Sequence, residues 1–181
     1  MEKKPTDVLE EEHRTILKVI GALTVLGESL EQGGQVEPET FKNIVEFMRI
    51  FADKCHHGKE EALLFPLLEK RGVPPQGCPI GVLIHDHQTG RAFVTGLAEA
   101  AEGYQKGDPA ARDALLNNIH GITALYPGHI WKEDYLAFPM SNKVLTAEDQ
   151  QSLSEEFEKV DENIGRDVYQ RLAHLADHLA V

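Results

Sequence analysis

Four histidines and two glutamates recur in this sequence as two matching sets. His13 stands in Leu9-x-x-Glu12-His13 and is followed 43 residues later by His56-His57-Gly58-Lys59-Glu60-Glu61, a segment that closes with Phe65-Pro66. His87 stands in Leu83-x-x-Asp86-His87 and is followed 42 residues later by His129-Ile130-Trp131-Lys132-Glu133-Asp134, which closes with Phe138-Pro139. Each copy therefore offers one lone histidine and one His-x-x-x-Glu pair. A single such pair on a helix is usually an exposed ion pair. Two copies in register, each with a lone histidine, supply the donors of a dinuclear metal site: His13, His56, Glu60, His87, His129 and Glu133.

These donors must be positioned by helices. Apolar residues recur at helical spacing, as in Leu9, Ile16, Ile20 and Leu23 and again in Phe41, Ile44, Val45, Met48 and Phe51. No alternating strand pattern competes. Breaks fall at Gly33-Gly34-Gln35, from Gly72 to Pro79, at Gly107-Asp108-Pro109 and between Ser141 and Thr146. Pro38 and Pro109 suit a first helical turn, with Asp108 as a cap for the latter. The breaks predict helices over residues 7–32, 38–71, 80–106 and 109–143. A fifth, over 147–179, begins at Thr146 with Asp149 three residues on as a capping box. The fold class expected is all-α: an up-down-up-down antiparallel four-helix bundle over residues 1–145 with an additional C-terminal helix in 146–181. That helix, carrying Leu153, Phe157, Val160, Ile164, Val168 and Leu172 at helical spacing, must pack on the bundle or on a second subunit, the latter making a homodimer.

Helix geometry tests whether the donors can meet. His13 precedes Gly33 by 20 residues and His56 follows Pro38 by 18. At ~1.5 Å per residue both stand ~27–30 Å from the same turn. His87 precedes Gly107 by 20 residues and His129 follows Pro109 by 20, so the second hairpin repeats the arrangement. Residues four apart share a face, which points Glu60 and Glu133 where His56 and His129 point. Two cations a few ångströms apart repel strongly in a low-dielectric core, so the two carboxylates are expected to bridge them. Nitrogen and oxygen donors without thiolate fit iron, or manganese or zinc. Two carboxylates against neutral imidazoles leave a diferrous pair formally cationic, which favours reversible binding or mild redox chemistry over highly oxidised states.

The remaining candidates have plainer roles in view. His57 is offset from His56 by about 100° on an α-helix and is expected beside the ligands or at the surface. Glu61 and Asp134 each follow a candidate ligand and are alternatives to it. His85 and His120 read as surface residues, as do His174 and His178 on the terminal helix. Tyr126 and Cys55 read as packing, and Pro127 should loosen its helix by removing one hydrogen bond.

Composition narrows the partners. Eighteen basic against thirty acidic residues give a net charge of −12, which excludes a phosphate-binding surface and leaves no expected nucleic-acid or membrane partner. Neither an apolar signal segment nor a run of about 20 apolar residues is present, so the expected location is cytoplasmic. Cys55 and Cys78 are too few for a disulfide framework and read as reduced thiols.

The ordered elements Glu12-His13, His56-His57-x-Lys59-Glu60-Glu61 with Leu64-Phe65-Pro66, Asp86-His87 and His129-x-x-Lys132-Glu133-Asp134 with Phe138-Pro139 resemble the hemerythrin, or HHE cation-binding, family. The resemblance covers residues 7–143. It implies a four-helix bundle with two non-haem iron ions bridged by oxide or hydroxide, or another divalent metal, with the same six residues at ligand positions. It also implies a small ligand, O₂ or NO or peroxide, for storage, sensing or detoxification. Alternatives within that resemblance are a redox enzyme acting on NO or H₂O₂, an iron donor for repair of iron-sulfur clusters, and a zinc or manganese site without redox role. Invertebrate oxygen carriers of the family have a second histidine one turn beyond the one on the third helix. Arg91 stands there in this chain, so either one metal keeps an open position or His57 or another residue fills it.

Overall fold

Residues 3–179 are described by a computed structural model. Met1, Glu2, Ala180 and Val181, which belong to the two ranges expected from the sequence, lie outside the described residues. Among those described there are six helices and no strand: α1 (Pro5–Glu31), α2 (38–70), α3 (Ile80–Gln105), α4 (111–144), α5 (Ala147–Ile164) and α6 (Arg166–Leu179). No helix is long and apolar enough to cross a membrane among the described residues.

The helix ends follow local chemistry. Pro38 occupies the first turn of α2, where its missing N–H removes no bond. Gly33 (φ +83°) and Gly107 (φ +78°) supply the left-handed residues that end α1 and α3. The fourth helix starts two residues later than expected. Asp108 accepts a hydrogen bond from the Ala110 N–H at 2.9 Å, which builds a turn over 109–110 before α4 begins at Ala111. Pro127 sits inside α4 without ending it.

Two long helices carry wider turns. In α2, α-helical Pro38–Phe47 gives way to π-helical Met48–His57 and Glu60–Leu64 before Phe65–Lys70 resumes the α form. In α4, a π segment at Glu133–Ala137 separates Ala111–Lys132 from Phe138–Val144. Each short π segment ends directly before Phe-Pro. Phe65 and Phe138 donate their N–H to the carbonyls of Glu60 and Glu133, five residues back. Pro66 and Pro139 have no N–H and would crowd the carbonyl four residues back, so the wider turn removes a clash that an α-helix would impose.

The single terminal helix expected over 147–179 is instead two, divided at Gly165 with φ +97°. Thr146 and Asp149 form the reciprocal capping box that starts α5. α5 packs against α1 and the π region of α2, and α6 lies along α1. Leu172 and Ala176 of α6 are fully buried in the main core with Phe47, Phe51, Leu97 and Ile119. A second apolar cluster gathers Leu9, Leu64, Phe65, Leu83, Phe138 and Phe157. Along α1, α2, α3 and α4 the histidines and glutamates of the repeat fall between these two clusters, forming a polar layer within an apolar interior.

Candidate metal centre

The four helices that carry the repeat bring its six donors into one buried layer. His13, His56, Glu60, His87, His129 and Glu133 are each at most 3% exposed. His13 Nε2 lies 3.0 Å from Glu133 Oε2, His129 Nε2 3.3 Å from the same oxygen, and His56 Nε2 3.7 Å from Glu60 Oε2. His87 Nε2 approaches both carboxylates, at 3.4 Å to Glu60 and 3.5 Å to Glu133. The donors sort into two clusters, His13–His56–Glu60–Glu133 and His57–His87–His129, and within each the donor atoms lie inside 4.8 Å of one another.

For His57 the spacing left two places open, beside the ligands or at the surface, and the structure puts it in the first. It is 2% exposed, its ring stacks on His87 at 3.8 Å, and it stands with His87 and His129 rather than at the surface. The cause is the π-helical run that ends at His57. Bonds to the fifth residue put more residues into each turn and so rotate each by less, which lets adjacent His56 and His57 face the same interior. The sequence signal was the His-His doublet itself.

A ring of carboxylates holds the imidazoles from outside. Nδ1 of His13 meets Asp134 at 2.7 Å, that of His56 meets Glu12 at 3.0 Å, that of His57 meets Asp53 at 3.3 Å and that of His87 meets Glu61 at 2.7 Å. His129 Nδ1 lies 3.4 Å from Asp86. With Nδ1 turned outward to an acid, each ring presents Nε2 to the interior, the arrangement that orients imidazoles for metal binding. Glu61 and Asp134, weighed above as alternatives to Glu60 and Glu133, serve in this ring. Arg91 bridges two of its members, Asp53 and Glu61, at 2.7 and 2.8 Å. Phe138 stacks on His13 at 5.5 Å and Phe65 on His87 at 6.1 Å, so the Phe-Pro end of each copy covers a histidine of the other.

The electrostatics call for a cation. All four oxygens of Glu60 and Glu133 are buried with no hydrogen-bond partner, as is His13 Nε2. Two such carboxylates in an apolar interior cost several kcal/mol each unless positive charge lies between them. With no such charge, burial and the neighbouring Glu133 push the Glu60 carboxyl well above its ordinary range. Burial, reinforced by the surrounding imidazoles, holds His56 and His57 well below the usual histidine range and hence neutral, the form that ligates. For His13 burial acts in the same direction, but Asp134 and Glu133 outweigh it and lift its pKa to about 9. Two carboxylates with neutral imidazoles and no thiolate fit a divalent transition metal, and both clusters can hold an ion.

The other histidines stay apart. His85, His174 and His178 are exposed, and His120 is exposed beside Glu31 at 3.0 Å. Tyr126 is buried with its ring 6.3 Å from that of His129, and Cys55 is fully buried with its Sγ 3.2 Å from Asp161.

The family model for the hemerythrin HHE cation-binding domain matches residues 4–141. The chain belongs to this hemerythrin family. Curated relatives are distant: the uncharacterized protein Rv1995 of Mycobacterium tuberculosis strain H37Rv and the uncharacterized protein Mb2018 of Mycobacterium bovis are each 25% identical over 154 residues, 85% of this chain. The chain spans 59% of the length of each of these relatives. No solved structure gives a significant match. The matched hemerythrin region contains every residue of the two donor clusters and leaves α5 and α6 outside it.

Proposed function

We propose that this hemerythrin-family chain is a non-haem di-iron protein that binds O₂ or another small diatomic or peroxide ligand, in storage, sensing or detoxification. In this reading α1 to α4 form an up-down-up-down bundle. His13 and His56 would hold one iron and His57, His87 and His129 a second, with the Glu60 and Glu133 carboxylates, which lie among both sets of imidazoles, supplying the anionic charge. The observation that carries the reading is the pair of fully buried, unpartnered carboxylates ringed by imidazoles. Iron is favoured because a neutral-imidazole shell with only two carboxylates suits a divalent ion of reversible redox chemistry, and bound iron would supply an electron-rich centre for a small ligand.

The chain's own residues account for the rest. The His13 and His56 half has one imidazole fewer than the other, so it is the half with room for a ligand. Phe138 on His13 and Phe65 on His87 keep bulk water from the layer. The carboxylate ring holds each imidazole in the tautomer that leaves Nε2 free.

The test is an optical difference spectrum, anaerobic against oxygenated, of protein loaded with two ferrous ions per chain. A visible band that appears with oxygen and fades on its removal establishes reversible binding. Prompt, irreversible oxidation redirects the assignment to turnover of NO or peroxide or to iron delivery. A chain that takes up no pair of ions overturns the reading.

A further inference from the structure

The repeat builds two equivalent triads that differ in one respect. In each, the acid before the lone histidine bonds the lysine of His-x-x-Lys and faces the paired histidine: Glu12 bonds both Lys59 and His56, and Asp86 bonds Lys132 with His129 Nδ1 3.4 Å away. Lys132 ends there and is one-third exposed. Lys59 is fully buried, and its ammonium group is held by a second carboxylate, Asp161 of α5, at 2.6 Å. Phe157 of α5 and Tyr169 of α6 place their rings 5.7 and 5.8 Å from that ammonium group. The Tyr169 hydroxyl reaches Glu12 at 3.5 Å, and Cys55 Sγ lies 3.2 Å from Asp161.

Burying a lysine without compensation is costly, and two carboxylates with two aromatic faces are unusually full compensation. Glu12, Cys55 and Asp161 also lie close enough together to suggest a third metal cluster, but the Lys59 ammonium group already joins Glu12 to Asp161. A cation there would be redundant. The remaining role runs inward. Asp161 fixes Lys59, Lys59 fixes Glu12, and Glu12 fixes the ring of His56 in the half of the site with fewer imidazoles.

We infer that Asp161 is a positioning residue for the candidate metal centre, and that the C-terminal helices α5 and α6 form part of that centre by bracing one of its two halves through Lys59, Glu12 and His56. This rests on the metal-binding reading above. Among the described residues the second half, with Asp86 and Lys132, takes no such brace from α5 or α6; there Arg91 of α3 ties together Asp53 and Glu61, which hold His57 and His87. The two halves are consequently held by different elements, one by the C-terminal helices and the other from within the bundle, a difference the near-symmetric repeat does not itself produce.

Titration of the full chain with cobalt(II), whose visible spectrum reports coordination, tests this. Wild type should bind two ions. Asp161→Ala should weaken one of them by about 10-fold, the lower end of the range for loss of a ligand's direct partner because Asp161 acts through Lys59 and Glu12, and leave the other within about twofold. Asp161→Glu should recover most of the loss. Thermal melts of the metal-free proteins, run in parallel, separate bracing from general damage. Unchanged binding of both ions in Asp161→Ala overturns the inference, as does equal weakening of both with a lowered metal-free melting temperature. A wild-type chain that binds no pair of ions overturns the metal-centre reading and the inference together, whereas two ions in wild type with an indifferent Asp161→Ala overturn the inference alone.

Discussion

Asp134 Oδ1 lies 2.7 Å from His13 Nδ1, joining residues 121 positions apart in opposite copies of the repeat. Glu61 and His87 make the reciprocal link, also at 2.7 Å. Because each acid follows a candidate bridging glutamate, one residue faces the interior while its neighbour reaches around to hold a histidine of the other copy. Asp134→Ala and Glu61→Ala should therefore each weaken metal binding 10- to 100-fold without removing an inner donor. Competition against a chelator of known affinity reads this directly, and unaltered affinity in both variants would sink the assignment.

The inner carboxylates make a stronger demand. Glu60→Ala and Glu133→Ala should each abolish retention of the ion pair, since both sit among donors of the two clusters. Elemental analysis after gel filtration measures the stoichiometry. Two ions per chain retained at native affinity would rule out bridging. His174→Ala, on an exposed face of α6, should leave the metal content at its wild-type value.

His57 and His85 provide a matched contrast on adjoining helices. Removing the buried His57 ring takes a donor from the His87 and His129 cluster, so His57→Ala should lower the affinity for one ion while sparing the other. His85→Ala should bind both as wild type does, because that ring faces solvent. Equal behaviour of the two variants in calorimetric titration would return His57 to a packing role.

The start of α5 carries a pH signature. The Arg71 guanidinium beside Asp149, with help from Thr146, holds the Asp149 pKa down at about 2. A lowered folded-state value means that the contribution is complete above the ordinary carboxylate range near 4 and is lost as pH falls toward 2. Thr146→Ala, which removes the hydroxyl that accepts from the Asp149 N–H, should cost about 1 kcal/mol at neutral pH. Because that bond is to a backbone N–H, the gap between Thr146→Ala and wild type in urea melts should persist below pH 3, whereas the gap between Arg71→Ala and wild type should close as Asp149 takes up its proton.

Much of the fold was legible because apolar periodicity and turn residues agree. Pro38, Gly33 and the Thr146–Asp149 box mark helix ends in the sequence as they do in the structure. The division of the terminal helix was hidden, since Val160, Ile164, Val168 and Leu172 keep one period across Gly165 and only its φ of +97° reveals the break. Convergence of the repeated histidines and glutamates followed from spacing alone. The outer carboxylates followed only in part: Glu61 and Asp134 stood out as alternative ligands, whereas Asp53 looks like an ordinary helix-surface acid until neighbouring helices are placed. His57 was obscured for a different reason: an angle of 100° per residue was applied to a segment that winds less tightly.

That looser winding carries a consequence for how the chain tolerates changes in length. A helix interrupted by a π turn contains one residue more than an α-helix needs to travel between the same two faces. Losing an exposed residue from one of the short π turns, Ala62 in α2 or Leu136 in α4, keeps the residues on either side in orientation as the backbone contracts to α geometry, provided that Pro66 or Pro139, which would then meet the carbonyl four residues back, is replaced as well. The same excision in the α-helical stretches of these helices would swing everything beyond it by about 100° and turn the buried face outward. The two short π turns, where length and proline can change together, are thus the two that set Phe65 and Phe138 over the histidines.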